Sequence, residues 1–169
     1  YKRQAVYIAG DTYTYSVGSD DIFLLKTDLA GNLLSQRTWG GNHYDRPWDL
    51  LWDGNDHLYL AGIDESFGAY SWDTLMSKMD LNGDVAWSRM WSGSTASRGD
   101  GLARLAFTPF GDLICLGNTD STGAGSHDLL LLTYDTDGNL LTRRTWGGAG
   151  WDEGQDLVYD SQGNLYVCG

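Results

Sequence analysis

Aspartate carries most of the chemical capacity in this sequence. Of the 23 acidic residues only Glu65 and Glu153 are glutamates, and the aspartates recur at fixed intervals. Three families stand out: Asp28, Asp80 and Asp135; Asp21, Asp73 and Asp128; and Asp45, Asp100 and Asp152. Asp135-Thr136-Asp137-Gly138-Asn139 has the Asp-x-Asp opening of a calcium loop. Such a loop of the EF-hand kind needs a bidentate glutamate at its twelfth position, where Trp146 stands, and Ala30 replaces the second acid in the first copy. The first family therefore reads as turn formers, since an aspartate bonds its own backbone two residues on. No cofactor is expected, with calcium at these turns as the alternative.

No catalytic residue is expected. The chain has no Gly-x-Ser-x-Gly, and Gly148-Ala149-Gly150 precedes a strand rather than the helix that a dinucleotide fingerprint requires. His43, His57 and His127 have no metal-like spacing. Cys115 and Cys168 fall one residue out of register on alternating strands, so they point to opposite faces, too far apart for a disulfide, and read as small buried hydrophobes. The formal charge of −12 argues against a nucleic-acid backbone or an anionic membrane surface as partner. No apolar run approaches the ~18 residues of a spanning helix, so no membrane insertion is expected.

The elements that must position these residues come from a repeat. Gly10, Gly62, Gly117 and Gly169 are spaced by 52, 55 and 52 residues, and the Trp39, Trp91 and Trp146 series is spaced by 52 and 55. One three-residue insertion, between Gly93 and Thr108, accounts for every difference. Each unit holds four strand-like runs, in the third unit Gly101 to Phe107, Asp112 to Leu116, Asp128 to Tyr134 and Asn139 to Trp146. Turns such as Asp28-Leu29-Ala30-Gly31-Asn32 join the third run to the fourth, with glycine supplying the positive φ. With 23 glycines and only 2 prolines, short strands and tight turns are expected, not helices.

The second run of each unit, as in Leu58-Tyr59-Leu60-Ala61, is apolar on both alternating sets, so both of its faces should be covered. Arg37, Arg89 and Arg144 lie two residues before each repeating Trp on the outermost strand, where a charge discourages edge-to-edge pairing and stacking on that indole is a second expected role. The fold expected is all-β: a β-propeller of four-stranded antiparallel blades, about 3.25 of them over residues 1–169. The units fall roughly at 1–39 (partial), 40–91, 92–146 and 147–169 (partial). That number of blades does not close a ring, so the segment should need further blades, in the same chain or from copies of itself. The chain opens at Tyr1 without an initiator Met, which leaves room for a targeting segment upstream.

In such a blade the second-to-third and fourth-to-first connections emerge on one face. The residues that vary there are His43, Tyr44, Trp48, Trp72, His127 and Trp151. Aromatic rings beside Asp45, Asp100 and Asp152 suit a glycan or peptide ligand, through stacking and carboxylate acceptors. Tyr44, Trp72 and Trp151 are the expected anchors. The three aspartates are expected first to stitch the loops together.

The run of an aspartate opening the third strand, then Asp-x-x-Gly-Asn, then Trp-Gly-Gly resembles the bacterial and archaeal "SBBP" beta-propeller repeat. The closest stretch is Asp128-Leu129-Leu130-Leu131-Leu132-Thr133-Tyr134-Asp135-Thr136-Asp137-Gly138-Asn139 through Trp146-Gly147-Gly148. Departures are Asp56, where the turn glycine would stand, and Thr108-Pro109 in place of the usual aspartate. The resemblance implies a secreted or cell-surface prokaryotic protein, with the periplasm as the alternative. It implies a non-catalytic binding or assembly scaffold. The alternatives are a fragment of a quinoprotein-like propeller enzyme, to which the repeat is more distantly similar, and a carbohydrate-binding propeller.

Overall fold

Alternating apolar residues bounded by Asp and Gly turns produce thirteen strands in the computed structural model, which describes residues 5–68, 72–93 and 99–169. No helix occurs among the described residues. The first sheet holds β1 (Val6–Thr12), β2 (Asp21–Thr27) and β3 (Leu33–Trp39). The second holds β4 (Asp45–Trp52), β5 (His57–Asp64), β6 (Asp73–Asp80) and β7 (Val85–Trp91). The third holds β8 (Gly101–Phe107), β9 (Leu113–Thr119), β10 (Asp128–Tyr134) and β11 (Leu140–Trp146). A fourth pairs β12 (Asp156–Tyr159) with β13 (Leu165–Cys168). Every pairing is antiparallel, and strands pair in chain order.

The sheets stack face to face in sequence order. On β5, Leu58 and Leu60 pack back against Ile22 and Leu24 of the first sheet. Tyr59 and Ala61, on the other side of the same strand, pack forward against Leu113, Cys115, Leu130 and Leu132 of the third. On β9, Ile114 and Leu116 continue the pattern against Leu157 and Leu165. Each complete sheet thus has a leading face turned to its predecessor and a trailing face turned to its successor. Both faces of β5 and β9 are covered as expected, whereas β1 and β13 are covered on one side only. Val6 and Ile8 on the leading side of β1 are 42% and 44% exposed, and Tyr166 on the trailing side of β13 is 56% exposed. Cys168 shares that uncovered side and is exposed rather than buried, while Cys115 lies in the core and both thiols are free.

Polar clasps repeat across the junctions. Lys26 donates to the Leu81 carbonyl at 3.1 Å while lying over the Tyr7 ring, and Lys78 donates to the Thr136 carbonyl at 3.1 Å over the Tyr59 ring. Arg89 donates to the carbonyls of Gly138 and Asp137 in the next sheet's hairpin turn. Its guanidinium lies over Trp87, not over Trp91 as the two-residue spacing suggested. Trp91 instead receives Arg143 of the following sheet, 5.6 Å from its ring centre. The trailing Trp is therefore a docking residue between sheets. Trp39 and Trp91 dock in this way, whereas Trp146, opposite a sheet with only two strands, is 49% exposed.

Candidate functional site

The hairpin aspartates act on their own turns. Asp135 Oδ1 accepts the backbone N–H groups of Asp137 and Asn139, and its Oδ2 accepts the Asn139 amide. Asp28 and Asp160 repeat this pattern with Asn32 and Asn164, and at Asp80 the amide comes from Asn82, two residues on, while Asp84 supplies the later N–H. These donors hold the four carboxyls below the usual aspartate range, through the amide of Asn32, Asn139 or Asn164 and, for Asp80, chiefly the Asp84 N–H. At residues 53–57 the positive φ falls on Gly54, which lets Asp56 occupy the glycine place while the closing bond from Asp53 N–H to the His57 carbonyl is kept. Thr108 Oγ1 takes over the aspartate's role in the third sheet, accepting from Phe110 and Asp112.

No group of three or more His, Cys, Asp or Glu side chains is placed to hold a metal among the described residues. Adding EDTA is accordingly expected to move the melting temperature by no more than about 1 °C. A saturated structural metal would contribute about 2.7 kcal/mol at 100-fold excess over Kd. A scanning-calorimetry drop of several degrees would refute the turn assignment.

The connections expected on one face do meet there. Asp45 N–H donates to the Asp20 carbonyl, Asp100 N–H to that of Trp72, and Asp152 N–H to that of His127. The carboxylates after these bonds close the loops. Asp45 accepts from Gly41 N–H and Ser66 Oγ, Asp100 from Gly93 N–H and Ser121 Oγ, and Asp152 from Gly148 N–H. Asp45 and Asp100 are buried, so their oxygens face the loops rather than an incoming ligand. The three-residue insertion falls between Gly93 and Asp100, an interval in which residues 94–98 lie outside the described residues.

What varies is the pair of side chains flanking each repeated bond. At the first junction these are Asp20 and Tyr44. Arg46 forms an ion pair with buried Asp20 and lies over the Tyr44 ring, closing that place. His43 stands outside it, exposed, with its backbone N–H donating to Ser66 Oγ. At the second junction the pair is Trp72 and Gly99, and at the third it is His127 and Trp151, whose rings stack at 3.7 Å.

Between the second and third junctions lies a cleft of about 580 Å³. Its rings are Trp48, Trp72, His127 and Trp151, and its polar side chains include Arg104, Asn118, Glu153 and Gln155. Trp72, Trp151 and His127 are the expected site residues that share it; Tyr44 and His43 do not line it. The sequence reading missed Gln155, Arg104 and Asn118. Trp48 and Ala103 are the extra residues of matching bulges in β4 and β8, and Gln155 has the corresponding place before β12. Trp48, Ala103 and Gln155 recur at the repeat's own spacing, and that recurrence is the unused signal that marks the position.

No family model and no curated protein matches the chain. Among the described residues no helix is long and apolar enough to cross a membrane.

Proposed function

We propose that the chain is a non-catalytic segment of a β-propeller, with blades similar to the SBBP-type repeat. On this reading it serves a secreted or cell-surface prokaryotic protein as a binding and assembly scaffold. The observation that carries the reading is the sameness of the junctions. Each one joins a trailing Tyr or Ile and its aliphatic neighbour to apolar leading residues of the next sheet, Leu58 and Leu60 at the first, Leu113 and Cys115 at the second and Leu157 and Leu165 at the third. The equivalent positions stand exposed at the two outer faces, Val6 and Ile8 on one side and Val158 and Tyr166 on the other. Apolar faces of this kind mark interfaces. The partner that fits them is another sheet of the same repeat, from a further blade or from a second copy, joined head to tail.

Multi-angle light scattering on the 169-residue chain tests this. The expected mass exceeds the 18.6 kDa of one chain and grows with concentration. A well-folded single chain at every concentration would overturn the reading.

A further inference from the structure

We propose that the cleft between Trp72 and Trp151 binds a neutral glycan, seating the C–H face of a pyranose ring on the Trp151 indole. This deepens the scaffold reading and rests on it by naming the ligand class. Trp151 is 62% exposed yet fixed on two sides. One ring face lies on His127 at 3.7 Å and 15°, and Nε1–H donates to Glu153 Oε1. Glu153 Oε2 in turn accepts from the Gln155 amide at 3.3 Å. An exposed indole held rigid offers stacking area with little ordering entropy left to lose on binding. Trp48 and Trp72, 57% and 45% exposed, line the same cleft.

Glycine at position 99 opens the slot. The equivalent places hold Tyr44 and Trp151, and a Cβ on Gly99 would come within 2.7 Å of His127 Nε2. A side chain there would fill the space between Trp72 and His127.

The charges around the cleft select the ligand class. Arg104 is paired with Asp156 at 3.6 Å, and both oxygens of Glu153 are engaged. An anionic ligand meets Glu153 in a chain of net charge −12, and a cationic one would have to displace the Trp151 and Gln155 donors from Glu153 or Arg104 from Asp156. Asn118, whose Oδ1 accepts from Gly154 N–H, keeps its Nδ2 as donor, and Gln155, whose Nε2 donates to Glu153, keeps its Oε1 as acceptor for ligand hydroxyls. The volume lies within the ~300–1,000 Å³ of small-molecule sites, enough for one or two sugar rings.

The test is titration of the full chain, by tryptophan fluorescence and calorimetry, with neutral gluco-, manno-, xylo- and N-acetylglucosamine oligosaccharides. At least one is expected to bind with Kd below about 1 mM. Trp151→Ala and Trp72→Ala should each weaken it by about tenfold or more, the scale of one lost stacking contact. Trp52→Ala, whose exposed ring lies outside the cleft, should not. Trp72 lies in the connection leading into β6 of a different sheet, so it reports independently should Trp151→Ala lower the melting temperature. No binding by the panel, binding indifferent to both changes, or preference for sialylated or sulfated sugars would overturn the proposal. Binding of a peptide library that Trp151→Ala abolishes, with the panel silent, would also overturn the ligand class while leaving the scaffold intact. The cleft lies within one chain, so a monomeric mass would count against assembly and not against the glycan.

Discussion

Replacing Gly117 by alanine is expected to destabilise the chain by about 3 kcal/mol, the upper end for overpacking a filled site. The melting temperature should then fall by roughly 6 to 12 °C. The glycine series that reveals the repeat has a steric origin. Beside Gly62 and Gly117 the bulged first strand brings a backbone carbonyl, that of Arg46 or Gly101, into the space a Cβ would occupy. A carbonyl in a paired strand cannot swing aside as a side chain can. Gly62→Ala should behave like Gly117→Ala. At Gly10 a Cβ would meet only the Phe23 ring, 2.6 Å away, which can turn, so that substitution should cost less. Gly31→Ala is the control: its φ of 85° imposes strain of about 1 kcal/mol, but nothing lies within 4 Å. Thermal unfolding that ranks Gly117→Ala no worse than Gly31→Ala would refute the steric account.

Asp64→Asn is expected to do the opposite and raise stability at pH 7 by roughly 2 to 3 kcal/mol, or about 5 to 10 °C. Asp64 is buried at the end of β5, directly opposite Asp45. Burial pushes its carboxyl up to about 6 from the ordinary 3.8, against the Phe67 and Gly68 N–H groups that its Oδ1 accepts, and Asp45 adds to the rise. The folded chain thus holds this proton more tightly than the unfolded chain. Stability contributed here falls as pH rises from about 4 to 6, and the penalty is complete above 6. Asparagine keeps the Oδ1 acceptor, removes the buried charge and offers Asp45 a donor. Thr12 and Thr119 hold the equivalent places without a carboxylate, each accepting a loop N–H. The gain should shrink below pH 6 and vanish below about pH 4. Asp28, Asp80, Asp135 and Asp160 act in the other direction, since their lowered values favour the fold above about 3.8 and lose that contribution in acid. A pH-independent difference between Asp64→Asn and the parent, or none, would contradict the assignment.

The strands were legible because their markers are local. The run from Gly101 to Phe107 coincides with β8, and Asp128 to Tyr134 with β10, since an opening aspartate and a closing turn bracket each one. The hairpin turns were legible for the same reason. Contacts between sheets were not. Lys26 and Lys78 sit a repeat apart, yet their carbonyl acceptors at Leu81 and Thr136 belong to the next sheet, which no pattern within one strand specifies. Arg89 has Trp87 and Trp91 at equal sequence distance, and the twist and reach of the arginine select Trp87. The face bearing the varied aromatics was legible from topology. The composition of its cleft depended on the bulges that turn Trp48 and Ala103 toward it and on Gly99, whose importance lies in the side chain it lacks.

The head-to-tail completion of exposed sheet faces is tested most directly by mixing two variants in a sedimentation-velocity experiment. Ile8→Asp places a charge on the leading face, and Tyr166→Asp places one on the trailing face. Each variant keeps one good face and should sediment as a single chain. Mixed in equal amounts, they should form a two-chain species, because the trailing face of the first fits the leading face of the second. A parent chain that never associates, or either variant associating alone as the parent does, would contradict the account.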